Sequence, residues 1–121
     1  MARILIVDDD AKITQMLELC LRPKNHEIVI AADGQIALKK ALEKKPQLII
    51  ADIMMPNMDG PTFISNLWEE LNDRSIPVIF LSGLISKAEQ KAQNELFGNQ
   101  FFLAKPFSAA ELNVLVERAL A

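Results

Sequence analysis

The chain has 121 residues, half of them hydrophobic and 24% charged, with a formal net charge of −3. That length supports one ordinary domain around a single core, and the slightly acidic balance gives no reason to expect nucleic acid or an anionic membrane surface as its partner. No apolar run approaches the ~20 residues of a transmembrane helix, the first residues do not form a signal peptide, and the single cysteine, Cys20, excludes an internal disulfide and suits a cytoplasmic protein.

The first strand, β1, is predicted near 3–7 and runs into Asp8, Asp9 and Asp10. Asp10 is placed to cap helix α1, predicted near 11–21, where Ile13, Met16, Leu17, Cys20 and Leu21 share one face and Pro23 follows the end. Cys20 reads as core. Strand β2, near 27–31, is bounded by charges and reads as an edge, with His26 exposed at its start. Asp33-Gly34 turns the chain into helix α2, near 34–45, which Pro46 stops. Strand β3 follows near 48–52. Pro56, Asp59-Gly60 and Pro61 mark a loop before helix α3, near 61–71, with Phe63, Ile64, Leu67, Trp68 and Leu71 as its apolar stripe. Trp68 is expected to be half-buried packing.

Strand β4 is predicted near 77–82. Helix α4, near 87–97, offers only Ala88 and Ala92 as apolar residues between Lys87 and Gln93, so it is expected to bury little and to be held weakly. Strand β5 lies near 101–104. Helix α5, near 108–120, opens with Ser108 and Glu111 as a capping box and buries Leu112, Leu115, Val116 and Leu120. Strand-length runs alternating with helical ones specify an α/β fold, a parallel sheet with helices on both faces. The near-continuous apolarity of β1, β3 and β4 fits strands covered on both sides. No repeat or linker interrupts residues 1–121, which read as one domain, either a whole protein or a piece of a longer one.

The polar groups fall at the strand ends. Asp8 and Asp9 follow β1, Asp52 closes β3, Ser82 closes β4, and Lys105 with Pro106 follows β5. Parallel neighbours bring these ends to one edge of the sheet, where open α/β sheets bind ligands. Carboxylates gathered there repel one another unless a cation lies among them, and their hard oxygens suit Mg²⁺. The soft thioethers of Met54 and Met55 do not. A carboxylate can also act as a nucleophile towards phosphorus. In that chemistry Mg²⁺, Lys105 and the Ser82 hydroxyl would each take a phosphoryl oxygen, with backbone N–H groups after Asp52 and Ser82 adding hydrogen bonds.

The set Val7-Asp8-Asp9, Asp52 with Met55-Pro56 and Asp59-Gly60, Ser82-Gly83 and Lys105-Pro106-Phe107 resembles the receiver domain of two-component response regulators, in order and over essentially the whole chain. The resemblance implies a doubly wound, flavodoxin-like sheet of five strands in the order 2-1-3-4-5 with five helices. It implies Asp52 as phosphoacceptor, Asp9 as direct Mg²⁺ ligand, Asp8 as its partner, and the Met54 backbone carbonyl as a further ligand. Ser82 would be the switch hydroxyl, Lys105 the phosphate contact with a cis bond to Pro106, and Phe102 the aromatic that rotates on switching. The phosphodonor would be a histidine kinase or phosphotransfer protein docking over α1 and the loop around Pro106. Output would pass through the α4-β5-α5 face to an attached domain, a downstream protein or a phosphorylation-dependent homodimer. Such a domain is a cytoplasmic signalling module and not an enzyme with steady turnover.

Three departures bear on function. Phe102 lacks the hydroxyl of the tyrosine often found there, and Asn99-Gln100-Phe101 replaces the usual small and acidic residues before β5. Met54 and Leu84, each two positions beyond Asp52 and Ser82, are apolar where polar groups would orient an attacking water, so slow hydrolysis of the aspartyl phosphate is expected. Competing readings are a receiver-like module that binds partners without phosphate, and a small phosphatase of the haloacid-dehalogenase type with Asp8-x-Asp10 as its first motif. The phosphatase lacks an acidic pair after Lys105. A flavin-binding protein is disfavoured because three aspartates would repel the flavin phosphate.

Overall fold

A computed structural model of the protein describes residues 2–96 and 99–121. The strands are β1 (Arg3–Val7), β2 (Glu27–Ala31), β3 (Leu48–Asp52), β4 (Val78–Ser82) and β5 (Gln100–Ala104). The helices are α1 (Ala11–Leu21), α2 (Gly34–Lys44), α3 (Gly60–Leu71), α4 (Lys87–Leu96) and α5 (Ala109–Leu120). The predicted elements agree to within a residue or so. Pro23 follows the end of α1 as expected, within a short 3-10 turn, Arg22–Lys24, that was not foreseen. Residue 97, the predicted end of α4, lies outside the described residues.

All five strands are parallel, in the order β2-β1-β3-β4-β5. Alternation along each strand divides the core. Ile4, Ile6, Leu48, Ile50, Ile79, Leu81, Phe101 and Leu103 pack with Leu17 and Leu21 of α1 and Leu112, Leu115 and Val116 of α5. Leu5, Val7, Ile49, Ala51, Val78 and Phe80 turn the other way, onto Ala37 and Ala41 of α2 and Phe63, Ile64 and Leu67 of α3. β1, β3 and β4 are buried on both faces, and β2 is the half-covered edge. In α1 the predicted face is nearly right. Leu17 and Leu21 are buried, Ile13 and Cys20 pack against the core, and Thr14 is buried with its hydroxyl donating to the Ala11 carbonyl.

Helix ends follow their sequence signals. Asp10, Asp33, Asp59 and Ser108 each accept a backbone N–H at a helix start, and Ser108 and Glu111 form the reciprocal capping box. Asn25, Lys45 and Asn72 close helical segments in the left-handed region.

α4 is attached differently. Burying Phe63, Ile64 or Leu67 contributes about 1.5–3 kcal/mol each to holding α3. No described side chain of α4 joins either core cluster. Its side chains reach the backbone of β5 by hydrogen bonds instead, each worth about 0.5–1.5 kcal/mol net. The expectation that α4 buries little apolar surface is met among its described residues.

Candidate functional site

The register levels the strand ends. Val7 pairs with Ala51, Asp52 with Leu81 and Ser82 with Ala104, so the residues following β1, β3, β4 and β5 share one edge. Asp8 is only 2% exposed. Its N–H extends the sheet to the Ala31 carbonyl at 3.2 Å. Its Oδ1 accepts the Asp10 N–H at 2.9 Å, whereas its Oδ2 is buried without a hydrogen bond and faces Lys105 Nζ at 3.7 Å. Asp9 is exposed. Asp10 is committed to the α1 N-cap through the Lys12 N–H at 2.9 Å, so the Asp8-x-Asp10 pattern does not gather two carboxylates for catalysis.

Asp52 ends β3 half-buried. Its Oδ1 accepts the Met54 N–H at 3.2 Å and its Oδ2 accepts from Lys105 Nζ at 3.1 Å. The loop after it folds back on itself, with the Gly60 N–H donating to the Ile53 carbonyl at 3.0 Å. A Cβ on Gly60 would lie 2.3 Å from the Asp52 carbonyl oxygen, so only glycine fits there. Asp59 caps α3 at the Thr62 N–H, and the backbone and side-chain hydrogen bonds from Thr62 hold its carboxyl below the usual value.

Ser82 is buried, and its Oγ accepts the Leu84 N–H at 3.0 Å. Lys105 is positioned by its own N–H on the Ser82 carbonyl at 2.8 Å, and the Lys105–Pro106 bond is cis, as the resemblance implies. Phe102 lies on the opposite side of β5 from Phe101, its ring 5.6 Å from that of Phe80 at an interplanar angle of 32°. Met54 and Leu84 are 65% and 78% exposed. The Met54 and Leu84 N–H groups are bonded to the side chains of Asp52 and Ser82, two residues before each.

One ligand oxygen from each of Asp8, Asp9 and Asp52 lies within 4.8 Å of the others. Two full charges at that spacing repel by about 3–4 kcal/mol at an effective dielectric of ~20. Lys105 offsets part of this for Asp52 and less for Asp8. The Asp8 carboxyl is raised above its usual value, first by burial; Asp52 and Asp9 add to the rise, and the Asp10 N–H and Lys105 oppose it. A buried carboxylate oxygen without a donor, inside an all-oxygen acidic set, fits a small hard divalent cation.

Asp8, Asp9, Asp52 and Lys105 therefore meet in one cluster, with Ser82 on the adjoining strand end and Phe102 farther along β5. Sequence reading missed Gly60 as a packing constraint and did not single out Asn94, which is buried and bonded to Phe102. The signal for Asn94 was a polar residue in helical phase with Lys87 and Gln90, on a helix whose described residues offer no apolar side chain for that face.

Comparison with known proteins agrees with this geometry. The family model described as the response regulator receiver domain matches residues 4–117. The transcriptional regulatory protein PrrA of Mycobacterium tuberculosis is 38% identical over 118 residues, covering 98% of this chain and 49% of the relative. The alkaline phosphatase synthesis transcriptional regulatory protein PhoP of Bacillus subtilis is 33% identical, covering 98% and 48%. The chain thus spans about half the length of the curated relatives it matches. The Vibrio cholerae chemotaxis protein CheY4 has a similar structure, with a TM-score of 0.84, 33% identity and 99% of each chain covered.

Proposed function

Because this chain belongs to the response regulator receiver domain family, a family of signalling domains of two-component systems, we propose that residues 1–121 act as one phosphoacceptor domain with Asp52 as the acceptor. The observation that carries this reading is the Asp52 carboxylate, bonded to Lys105 at 3.1 Å and grouped with Asp8 and Asp9 around a buried oxygen that has no donor.

Asp8, Asp9, Asp52 and the Met54 carbonyl would hold Mg²⁺, which when bound neutralises charge on the transferring phosphoryl group. The protein's own groups do the rest. An Asp52 oxygen attacks phosphorus, the bond from phosphorus to the donor imidazole breaks, and the imidazole leaves with the electron pair and is protonated. Lys105 moves from the carboxylate onto a phosphoryl oxygen. The Ser82 hydroxyl, whose oxygen accepts from Leu84, donates its proton to another. The changed charge then shifts the population of the face formed by α4, β5 and α5, where the Phe102 ring lies against Phe80.

The donor is a phosphohistidine on a kinase or phosphotransfer protein, and the output partner is an attached domain or a separate protein. Incubation with acetyl phosphate and Mg²⁺, followed by intact mass measurement, tests the proposal. One phosphoryl group is expected on the wild type and none on Asp52→Ala. Equal labelling of the two would refute Asp52 as acceptor, and no labelling of either would favour a module that binds partners without phosphate.

A further inference from the structure

Among the described residues, α4 is packed inside out. Its alanines, Ala88 and Ala92, are exposed, whereas Asn94 is buried. Lys87, Gln90 and Asn94 recur at the spacing that puts them on one helical face. That face lies along β5, which pairs only with β4. The Asn99 carbonyl and the Lys105 N–H bond to β4, so the two-residue alternation turns the peptide groups of Phe102 and Ala104 outward, where a sixth strand would bind.

The helix satisfies these groups with side chains. Asn94 Oδ1 accepts the Phe102 N–H at 2.6 Å, and Asn94 Nδ2 donates to the Phe102 carbonyl at 2.9 Å. Gln90 Oε1 accepts the Ala104 N–H at 2.7 Å, and Lys87 Nζ donates to the Ala104 carbonyl at 2.9 Å. The Asn94 amide thus serves Phe102 as the peptide group of a neighbouring strand would. α5 reinforces the arrangement, with Arg118 donating to the Asn94 carbonyl at 3.0 Å and Lys87 paired with Glu111 at 2.8 Å.

We propose that Asn94 and Gln90 are a clasp that holds α4 on the edge of β5 and thereby opposes phosphoryl capture at Asp52. The coupling rests on the phosphoacceptor reading given above. Both anchors of the clasp adjoin the site. Phe102 stacks on Phe80 of β4, the strand that ends in Ser82, and Ala104 directly precedes Lys105. Drawing Lys105 and Ser82 onto a phosphoryl group displaces the strand ends that carry those anchors. The released edge groups are rehydrated, so opening is reversible and local, which apolar attachment would not allow as readily. Asn94 and Gln90 act as positioning residues; neither touches the reacting atoms.

The test pairs residue-resolved amide hydrogen exchange with titration of Mg²⁺ and beryllofluoride, for wild type, Asn94→Ala and the milder Gln90→Ala. Exchange of the Phe102 amide is expected to quicken about 2- to 13-fold in Asn94→Ala, and that of Ala104 in Gln90→Ala, the factor one net hydrogen bond is worth. Amides of β1 and β3 should keep their protection. Both variants should bind beryllofluoride more tightly, by at least about threefold, because less of the binding energy is used to open the clasp. Unchanged or weaker binding in a variant that has lost local protection would overturn the proposal. So would loss of protection spread evenly over all strands, which marks lowered global stability. A wild type that takes no beryllofluoride would refute the phosphoacceptor reading instead, and the exchange data would then decide the clasp alone.

Discussion

Asp8 has the least comfortable environment of the site's carboxylates, buried with one oxygen lacking a hydrogen bond and with Asp52 and Asp9 beside it. Its folded pKa lies above its unfolded one, so the folded state binds the proton more tightly. The stability this contributes is fully present below the unfolded pKa and is lost as pH rises through the raised folded value. In metal-free buffer at neutral pH, Asp8→Asn should therefore melt higher than wild type, by about 3–6 °C for roughly 1 kcal/mol in a domain of this size. The difference should shrink as pH falls into the range where Asp8 is protonated. Thermal melts across pH check this, and an Asn variant less stable than wild type at neutral pH would contradict it. At the same scale, the exposed apolar residues Met54 and Leu84 offer no polar group to orient an attacking water. The aspartyl phosphate should therefore decay slowly, and Leu84→Gln or Met54→Asn should hasten decay several-fold. Decay of the wild-type phosphoprotein within seconds would sink that expectation.

Among the elements, the loop from β3 to α3 and the fourth helix show what sequence alone reveals. Asp59-Gly60-Pro61 was readable as a turn and a helix start, because an N-cap acid and a proline at the first helical turn leave local signatures. The close approach of Gly60 to the Asp52 carbonyl was not, since it depends on how the loop returns to the strand. Gly60→Ala should cost about 1–3 kcal/mol by overpacking and should also slow phosphorylation by displacing the Asp52 backbone. Chemical denaturation and labelling kinetics measure the two effects. A variant as stable and as reactive as wild type would show that the loop yields freely. The strands and four of the helices were legible because apolar periodicity reports burial. α4 was legible only as an exception: its attachment uses side-chain amides on backbone groups, which leave no hydrophobic pattern. Trp68 matched its expected half-buried place in α3, with the Arg74 guanidinium 5.5 Å above its ring.

Across the whole molecule, five parallel strands in register deliver groups from distant parts of the sequence to one edge, and this placement assembles the acidic cluster beside Lys105. The sequence placed those groups because each follows an apolar run directly. It carried no distances, so the contact of Lys105 with Asp52 and the donorless Asp8 oxygen come from the fold. No helix among the described residues is long and apolar enough to cross a membrane. A divalent cation that binds the native cluster and not the unfolded chain stabilises the fold by mass action. Mg²⁺ at about 100 times its dissociation constant should add about 2.7 kcal/mol, and this increment should vanish in Asp8→Asn. A stabilisation equal in wild type and variant would place the cation elsewhere.

The central claim is that Asp52 forms an acyl phosphate. The direct measurement is reduction with borohydride after exposure to acetyl phosphate and Mg²⁺, followed by peptide mass spectrometry. Borohydride converts an aspartyl phosphate to homoserine and leaves free aspartate untouched. The account predicts homoserine at position 52, dependent on Mg²⁺ and absent without the phosphodonor. Homoserine at Asp8 or Asp9 in its place, or an unaltered Asp52 in protein that has gained a phosphoryl group, would contradict it.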